Sequence, residues 1–245
     1  MKKLSLVLLC FFWFSVCSAD VNVVVGQPIV AASVDPTPDF QAKLDDNTTG
    51  TTVVAAYGSN ATLVNATNTS DVHNADAIEG TGSFEGDANN LVRMTPPEAW
   101  MTDEVFTVQL SIKGDTSGLP NAYVRLFESS LANALVLMRN NSDTSLVLYV
   151  GGTNSGTFTV NDIDDNQWHT LRIVIDGTNT IRMYQKTESG AWSSAGTSET
   201  NPGNITTFTA LSFGNDGAGV KPWGSATGTY LIDNLIIWNS VAVPE

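Results

Sequence analysis

The chain predicts an all-β fold, an antiparallel β-sandwich, on three observations. Apolar residues recur at every second position in several separate runs, the period of a strand with one buried face. Gly, Asn and Asp cluster between those runs, where turns need them. No run sustains a helical period, and no solenoid-type repeat is present.

The elements follow in order. Residues 21–25 form a short first strand, and Pro28, Pro36 and Pro38 exclude a helix from the segment up to about residue 52. Residues 52–57 meet the turn Gly58-Ser59-Asn60, and 61–64 return. Residues 83–85 and 90–94 flank the loop Gly86-Asp87-Ala88-Asn89. Pro96 to Met101 allows one helical turn between strands. Residues 105–113 alternate clearly, with Phe106, Val108, Leu110 and Ile112 on one face and Thr107, Gln109, Ser111 and Lys113 on the other. Strands follow at 123–128, 135–139, 145–150 and 156–160. Gln167-Trp168-His169 leads into Leu171, Ile173 and Ile175, again every second residue. Asp176-Gly177 supplies a tight turn and 180–184 alternates back, so the pair reads as a hairpin. Residues 206–213 and 229–238 complete the set.

Lys2 and Lys3, an apolar core over 4–16 and the small residues Ser18-Ala19 read as a secretion signal cleaved after Ala19. Acylation of Cys17 is the alternative, and Val16 before it fits that motif poorly. Both cysteines, Cys10 and Cys17, lie in this leader, so the processed chain must hold itself together by its core. The expected organisation is a signal peptide over 1–19, a leader strand and loop over 20–38, one sandwich over 39–240 and a tail over 241–245. No second long apolar segment follows the leader, so no membrane span is expected, and the chain reads as secreted or held at the cell surface. The formal net charge of -14 disfavours nucleic acid, whose phosphates need a basic footprint. Solubility, bound Ca²⁺ or salty surroundings each account for that acidity.

Several segments in order carry a family resemblance. They are Phe40 to Asp46, the Gly/Asn turn leading to Thr62-Leu63, Gly82-Ser83-Phe84-Glu85-Gly86-Asp87, Val105-Phe106-Thr107, Gln167-Trp168-His169, and Tyr230-Leu231-Ile232-Asp233-Asn234-Leu235. This set resembles laminin-G-like domains of the concanavalin A-like lectin/glucanase superfamily, with Glu85 where the family usually has Asp. The resemblance covers about 39–238 and implies a jelly-roll β-sandwich. Most such domains bind carbohydrate or protein partners, and a minority cleave polysaccharides. Val243-Pro244-Glu245 resembles the start of the Pro-Glu-Pro sorting tag, which implies a bacterial exported protein.

His169, in Gln167-Trp168-His169, is similar to the Gln-x-His strand of jelly-roll alginate lyases, but the accompanying Arg-rich and Tyr-x-Lys-Ala-Gly strands are absent, and a packed strand histidine is the simpler reading. The Glu-x-Asp-x-x-Glu strand of sandwich glucanases is absent too. Asp162-Ile163-Asp164-Asp165 reads as a solvated turn. Calcium is the expected ion, because Glu85, Asp87 and Asn89 alternate in one Gly-containing loop, while the resemblance adds Asp233 on the closing strand. An acidic loop kept polar for solubility is the competing reading. Sugar binding needs ring faces and polar orienting groups. Trp192 and Trp223 sit in Gly/Ser-rich loops, and Tyr149, Arg125 and Arg139 lie on strands, so these five are the candidate ligand contacts. Trp168 and Trp238 lie in strands and are expected in the core.

The expected function is non-catalytic recognition of polysaccharide, a cell-surface glycan or another surface partner, with Ca²⁺ as the candidate cofactor. A jelly-roll polysaccharide lyase or glycosidase and a structural matrix or adhesion protein stand as alternatives.

Overall fold

A computed structural model describes residues 35–44, 52–66, 73–86, 92–95, 105–114, 124–129, 135–139, 145–150, 153–177, 180–198, 211–213 and 230–244. The expected signal peptide, the 21–25 strand and the 96–101 turn lie outside them. Among the described residues the regular structure is entirely β. The strands are β1 (Phe40–Ala42), β2 (Thr52–Val53), β3 (Ala61–Ala66), β4 (His73–Asn74), β5 (Ser83–Gly86), β6 (Val92–Thr95), β7 (Val105–Gly114) and β8 (Val124–Ser129). They continue as β9 (Leu135–Arg139), β10 (Ser145–Val150), β11 (Thr153–Thr159), β12 (His169–Asp176), β13 (Ile181–Thr187), β14 (Ser193–Ser198), β15 (Leu211–Phe213) and β16 (Tyr230–Trp238).

Two antiparallel sheets form the sandwich. The first runs β14-β13-β12-β7-β16-β5-β4, and the second runs β11-β10-β9-β8-β15-β6-β3-β2. One flank of β16 serves two partners in turn. Its first half, Tyr230 to Ile232, pairs with β5, and its second half, Leu235 to Ile237, pairs with β1. A bulge separates the halves: the register against β7 shifts between Asp233 and Ile236, and Asn234 has φ 47°.

The alternation read from the sequence places the shared core. Phe106, Val108, Leu110 and Ile112 of β7 meet Leu171, Ile173 and Ile175 of β12 in one cluster with Leu137, Leu146, Leu148 and Phe158 of the second sheet. Phe40, Phe84, Tyr230 and Ile232 extend it under β16. Burying each such side chain contributes roughly 1.5–3 kcal/mol.

The edge strands β11 and β14 each carry a bulge. Register shifts occur between Leu148 and Tyr149 opposite β11, and between Met183 and Tyr184 opposite β14. The bulge in β14 brings Gly196 against Phe158, and a Cβ on Gly196 would meet that ring at 3.4 Å. Bulges also twist an edge away from further pairing.

The sequence expected one buried face on β12 and β7. Instead both faces are buried, since Thr107, Gln109, Ser111, Thr170, Arg172 and Val174 are almost wholly covered on the side away from the core. Over Thr107 and Arg172 the cover includes Asp35, Ser240 and Ala242, while Ser111 and Thr170 hydrogen-bond each other. Thr107 Oγ1 donates to Ser240 O and accepts from Ala242 N, while Trp238 Nε1 donates to Pro36 O. Asp39 caps Asn239 N. Trp238 is therefore buried as expected, but on this outer face with Ile236 and Ala242 rather than between the sheets.

Candidate functional site

Arg172 organises the covered face of the first sheet. Its guanidinium donates to both carboxylate oxygens of Asp35, at 2.8 and 2.7 Å. It also donates twice to Gln109 Oε1, at 2.9 and 2.7 Å, and once to Ala242 O at 3.3 Å. The rings of Trp192 and Trp238 lie 4.9 and 4.8 Å from its Cζ, within cation–π range. The Arg172 side chain is 3 % exposed, and that of Asp35 is 46 % exposed, so the carboxylate is the solvent-side member of the pair. Lys186 Nζ stands 5.0 Å from the Trp192 ring. Trp192, expected as an exposed loop ring, is thus half-buried and already packed on two cations.

Toward the other end of the same face lies an acidic set. Asp233 is fully buried. Its Oδ2 accepts from the backbone of Ile78 and Glu79, at 2.9 and 3.0 Å, and its Oδ1 from Asn234 N at 2.6 Å. These amides hold the bulge of β16 onto the 76–80 loop. Glu85 pairs with Leu231 in register, so it shares Asp233's side of the sheet and is half-buried. Asp87 and Asn89 lie outside the described residues. Among the described residues no three His, Cys, Asp or Glu side chains gather as a metal would require. Asp76 accepts from Lys113 Nζ at 2.5 Å and from Trp168 Nε1 at 3.1 Å. The Lys113 hydrogen bond lowers the Asp76 pKa most, the Trp168 bond and the lysine charge add to it, and burial opposes them.

The Asp162–Asp165 run was expected to be a solvated turn. It is a turn, with Asp162 exposed and Asp164 and Asp165 half-buried; its carboxylates also accept hydrogen bonds, and Ile163 between them is buried in the core. Asp162 Oδ1 accepts from Asp164 N, Asp164 Oδ1 accepts from Tyr230 OH, and Asp165 Oδ1 accepts from Gln167 N. Asp165 Oδ1 also lies 2.9 Å from His169 Nε2. His169 pairs with Ile112 in register and is buried on the core side.

Tyr149 lies on the outer face of the second sheet, on the side of β10 opposite the core residues Leu146 and Leu148. It is half-buried, and Val147 beside it forms a buried apolar floor. Across β11 the register sets Asn154 against Tyr149, Thr157 against Val147 and Thr159 against Ser145. Asn154, Thr157 and Thr159 are exposed. Asn154 Oδ1 accepts from Gly156 N, which fixes the side chain at the bulge. Arg125 of β8 occupies the register row of Met138, which is Val147's row, so its position belongs to this face. Arg139 falls in the row of Leu146, a core row, and is not brought to Tyr149. Trp192, in the connection before β14, packs on Arg172 at the outer face of the first sheet, so the candidate sugar contacts divide between two outer faces. Trp223 lies outside the described residues. The row of hydroxyl and amide side chains on β11 was missed from sequence, although the alternation in Asn154-Ser155-Gly156-Thr157-Phe158-Thr159 was there to find it.

No family model and no curated protein matches the chain. Solved structures do. The binding domain of botulinum neurotoxin serotype D is 12% identical, with TM-score 0.58, and the match covers 84% of this chain and 49% of that one. The binding domain of botulinum neurotoxin DC, solved in complex with SialylT, is 14% identical with TM-score 0.57, covering 83% and 47%. A structure of botulinum neurotoxin type C, a protein whose cell entry is described as dependent upon interaction with two ganglioside molecules, is 13% identical with TM-score 0.58, covering 83% and 48%. At these identities what is shared is the fold, an antiparallel β-sandwich. This chain spans about half the length of each neighbour.

Proposed function

We propose that this chain is a non-catalytic carbohydrate-binding module that holds a polysaccharide or cell-surface glycan on the outer face of the second sheet, around Tyr149. The observation that carries the reading is the strip formed by β10 and β11. The half-buried Tyr149 shares its strand face with the buried Val147 and, across the register, with the exposed Asn154, Thr157 and Thr159. A ring face for sugar C–H surfaces and fixed polar groups for hydroxyls are what glycan recognition needs. The fold neighbours described with SialylT and gangliosides support the reading, though those proteins are about twice as long. The position of His169 supports a non-catalytic role, because its ring faces the core and is held by Asp165.

Calcium enters the proposal through Glu85 and the loop that follows it. Asp233 would contribute by shaping the adjoining bulge, since amides already engage its oxygens. A bacterial origin, export by the 1–19 leader and action outside the cell belong to the same reading.

The test is affinity electrophoresis in gels carrying neutral or acidic polysaccharides, with Ca²⁺ and with chelator. Retardation is expected in at least one gel, and Tyr149→Ala is expected to weaken it about tenfold, the scale of one lost stacking contact. Loss of retardation with chelator supports the calcium part alone. Unchanged mobility in every gel overturns the binding reading, and release of reducing ends or unsaturated sugars overturns its non-catalytic part.

A further inference from the structure

We propose that Arg172, with Trp192 and Trp238, forms a second binding site that reads the carboxylate of an acidic sugar, and that Asp35 fills it in this structure. The inference rests on the reading of this chain as a glycan-binding module, and its site is separate from the face around Tyr149.

Three features build the site. The first is the guanidinium itself. Gln109 Oε1 takes Nε and Nη2 on one edge, which fixes the guanidinium plane, and both Nη atoms face Asp35 on the other. That is the bidentate fork that matches a carboxylate of any origin. The second is the aromatic pair. Two indole rings flank the guanidinium at 4.9 and 4.8 Å, and the Trp192 ring is half-buried, which leaves part of it available for a sugar face. The third is charge. Lys186 Nζ adds a second cation beside Trp192, in a chain whose formal net charge is -14. A local cationic, aromatic patch on an acidic molecule favours an anionic ligand at this spot.

Asp35 is the solvent-side member of the pair, at 46 % side-chain exposure. The rest of the arm has its own anchors: Pro36 O accepts from Trp238 Nε1, Asp39 N donates to Ile237 O, and Asp39 Oδ2 accepts from Asn239 N. A uronate carboxylate could therefore replace that of Asp35 by rotation of one side chain, with the arm left in place. The exchange conserves the number of charge-assisted hydrogen bonds to Arg172. Asp35 thus acts as an internal competitor: apparent affinity is the intrinsic affinity multiplied by the fraction of time the fork is free.

The experiment titrates oligogalacturonate into the full chain and into Asp35→Ala, read by tryptophan fluorescence, because two indoles line the site. The methyl-esterified oligomer is the control, since it keeps the sugar and removes the charge. Asp35→Ala is expected to bind the acid oligomer at least tenfold more tightly than the parent chain and to ignore the ester. Equal affinity of a folded Asp35→Ala and the parent, or equal binding of acid and ester, overturns the proposal and leaves the pair as a structural clamp. A peptide Asp-Pro-Thr-Pro that binds Asp35→Ala where the oligomer does not also overturns it, in favour of a protein ligand. If Asp35→Ala fails to fold, Asp35→Asn takes its place, and the parent chain titrated to high oligomer concentration must still distinguish acid from ester. Tyr149→Ala separates the two sites: it should weaken binding at the β10–β11 face about tenfold and leave this titration unchanged.

Discussion

Arg172→Met tests whether one arginine holds the covered face of the first sheet together. The substitution keeps an apolar stem in the space beside Trp192 and Trp238 and deletes five hydrogen bonds. The cost can be worked from the partners. Asp35 is nearly half exposed, so its carboxylate regains water and contributes little. Gln109 is 6 % exposed and loses both donors to its oxygen, a desolvation cost of about 1–3 kcal/mol. Two cation–π contacts add about 0.5–1 kcal/mol each. Relief of a buried charge offsets part of this. The net loss is about 3 kcal/mol, which for a domain of this size lowers Tm by about 6–12 °C. Thermal unfolding followed by near-UV circular dichroism reads both the Tm and the packing of the two indoles. The combined variant Arg172→Met with Gln109→Leu should recover part of the loss, because it removes the stranded amide oxygen as well. A single Arg172→Met variant with a Tm within about 2 °C of the parent would refute the reasoning, since an arginine worth so little cannot organise this face.

Other positions give independent checks. A methyl group on Gly114 would lie 2.6 Å from Ile163 O and 2.7 Å from both Asp164 Oδ1 and Tyr230 Cε1, so Gly114→Ala should cost at least 1–3 kcal/mol, about the scale of overpacking, in a urea titration. Asp233→Ala leaves the Ile78, Glu79 and Asn234 amides without their carboxylate and should lower the urea midpoint by the equivalent of about 3 kcal/mol. Asp76 has a folded pKa below its usual 3.8, so its contribution is present above that value and is lost as pH falls through the lower one. Asp76→Asn should therefore flatten the fall of Tm below about pH 4 and leave the profile near pH 7 parallel to the parent.

Much of the core was legible from the two-residue period alone. The bounds expected for β9 and β10 match the structure, and the faces of β7 and β12 separate as the alternation requires. Strand β14 was missed because Ser193 to Ser198 offers one buried side chain, Ala195, and is held as an edge by backbone pairing to β13. The second buried face was missed for a different reason. Alternation assigns Gln109 and Arg172 to water because they are polar, and what covers them comes from Asp35 and Ala242, 137 and 70 residues from Arg172. No local pattern reports such a partner. The turn at Asp162–Asp165 was legible from composition, whereas its tie to Tyr230, 66 residues from Asp164, was not. For the candidate site, Tyr149 and the position of Arg125 do share a face, whereas Trp192 was legible only as a ring in a loop.

The most direct test of a glycan held by Tyr149 is a ¹H–¹⁵N correlation titration of the folded chain with the polysaccharide fragment that retards it in gels. The expected shifts concentrate at Tyr149, Asn154, Thr157 and Thr159, with Arg172 and its neighbours unmoved by a neutral fragment. Shifts confined to residues outside β10 and β11, or no saturable shift with any fragment, would contradict the account.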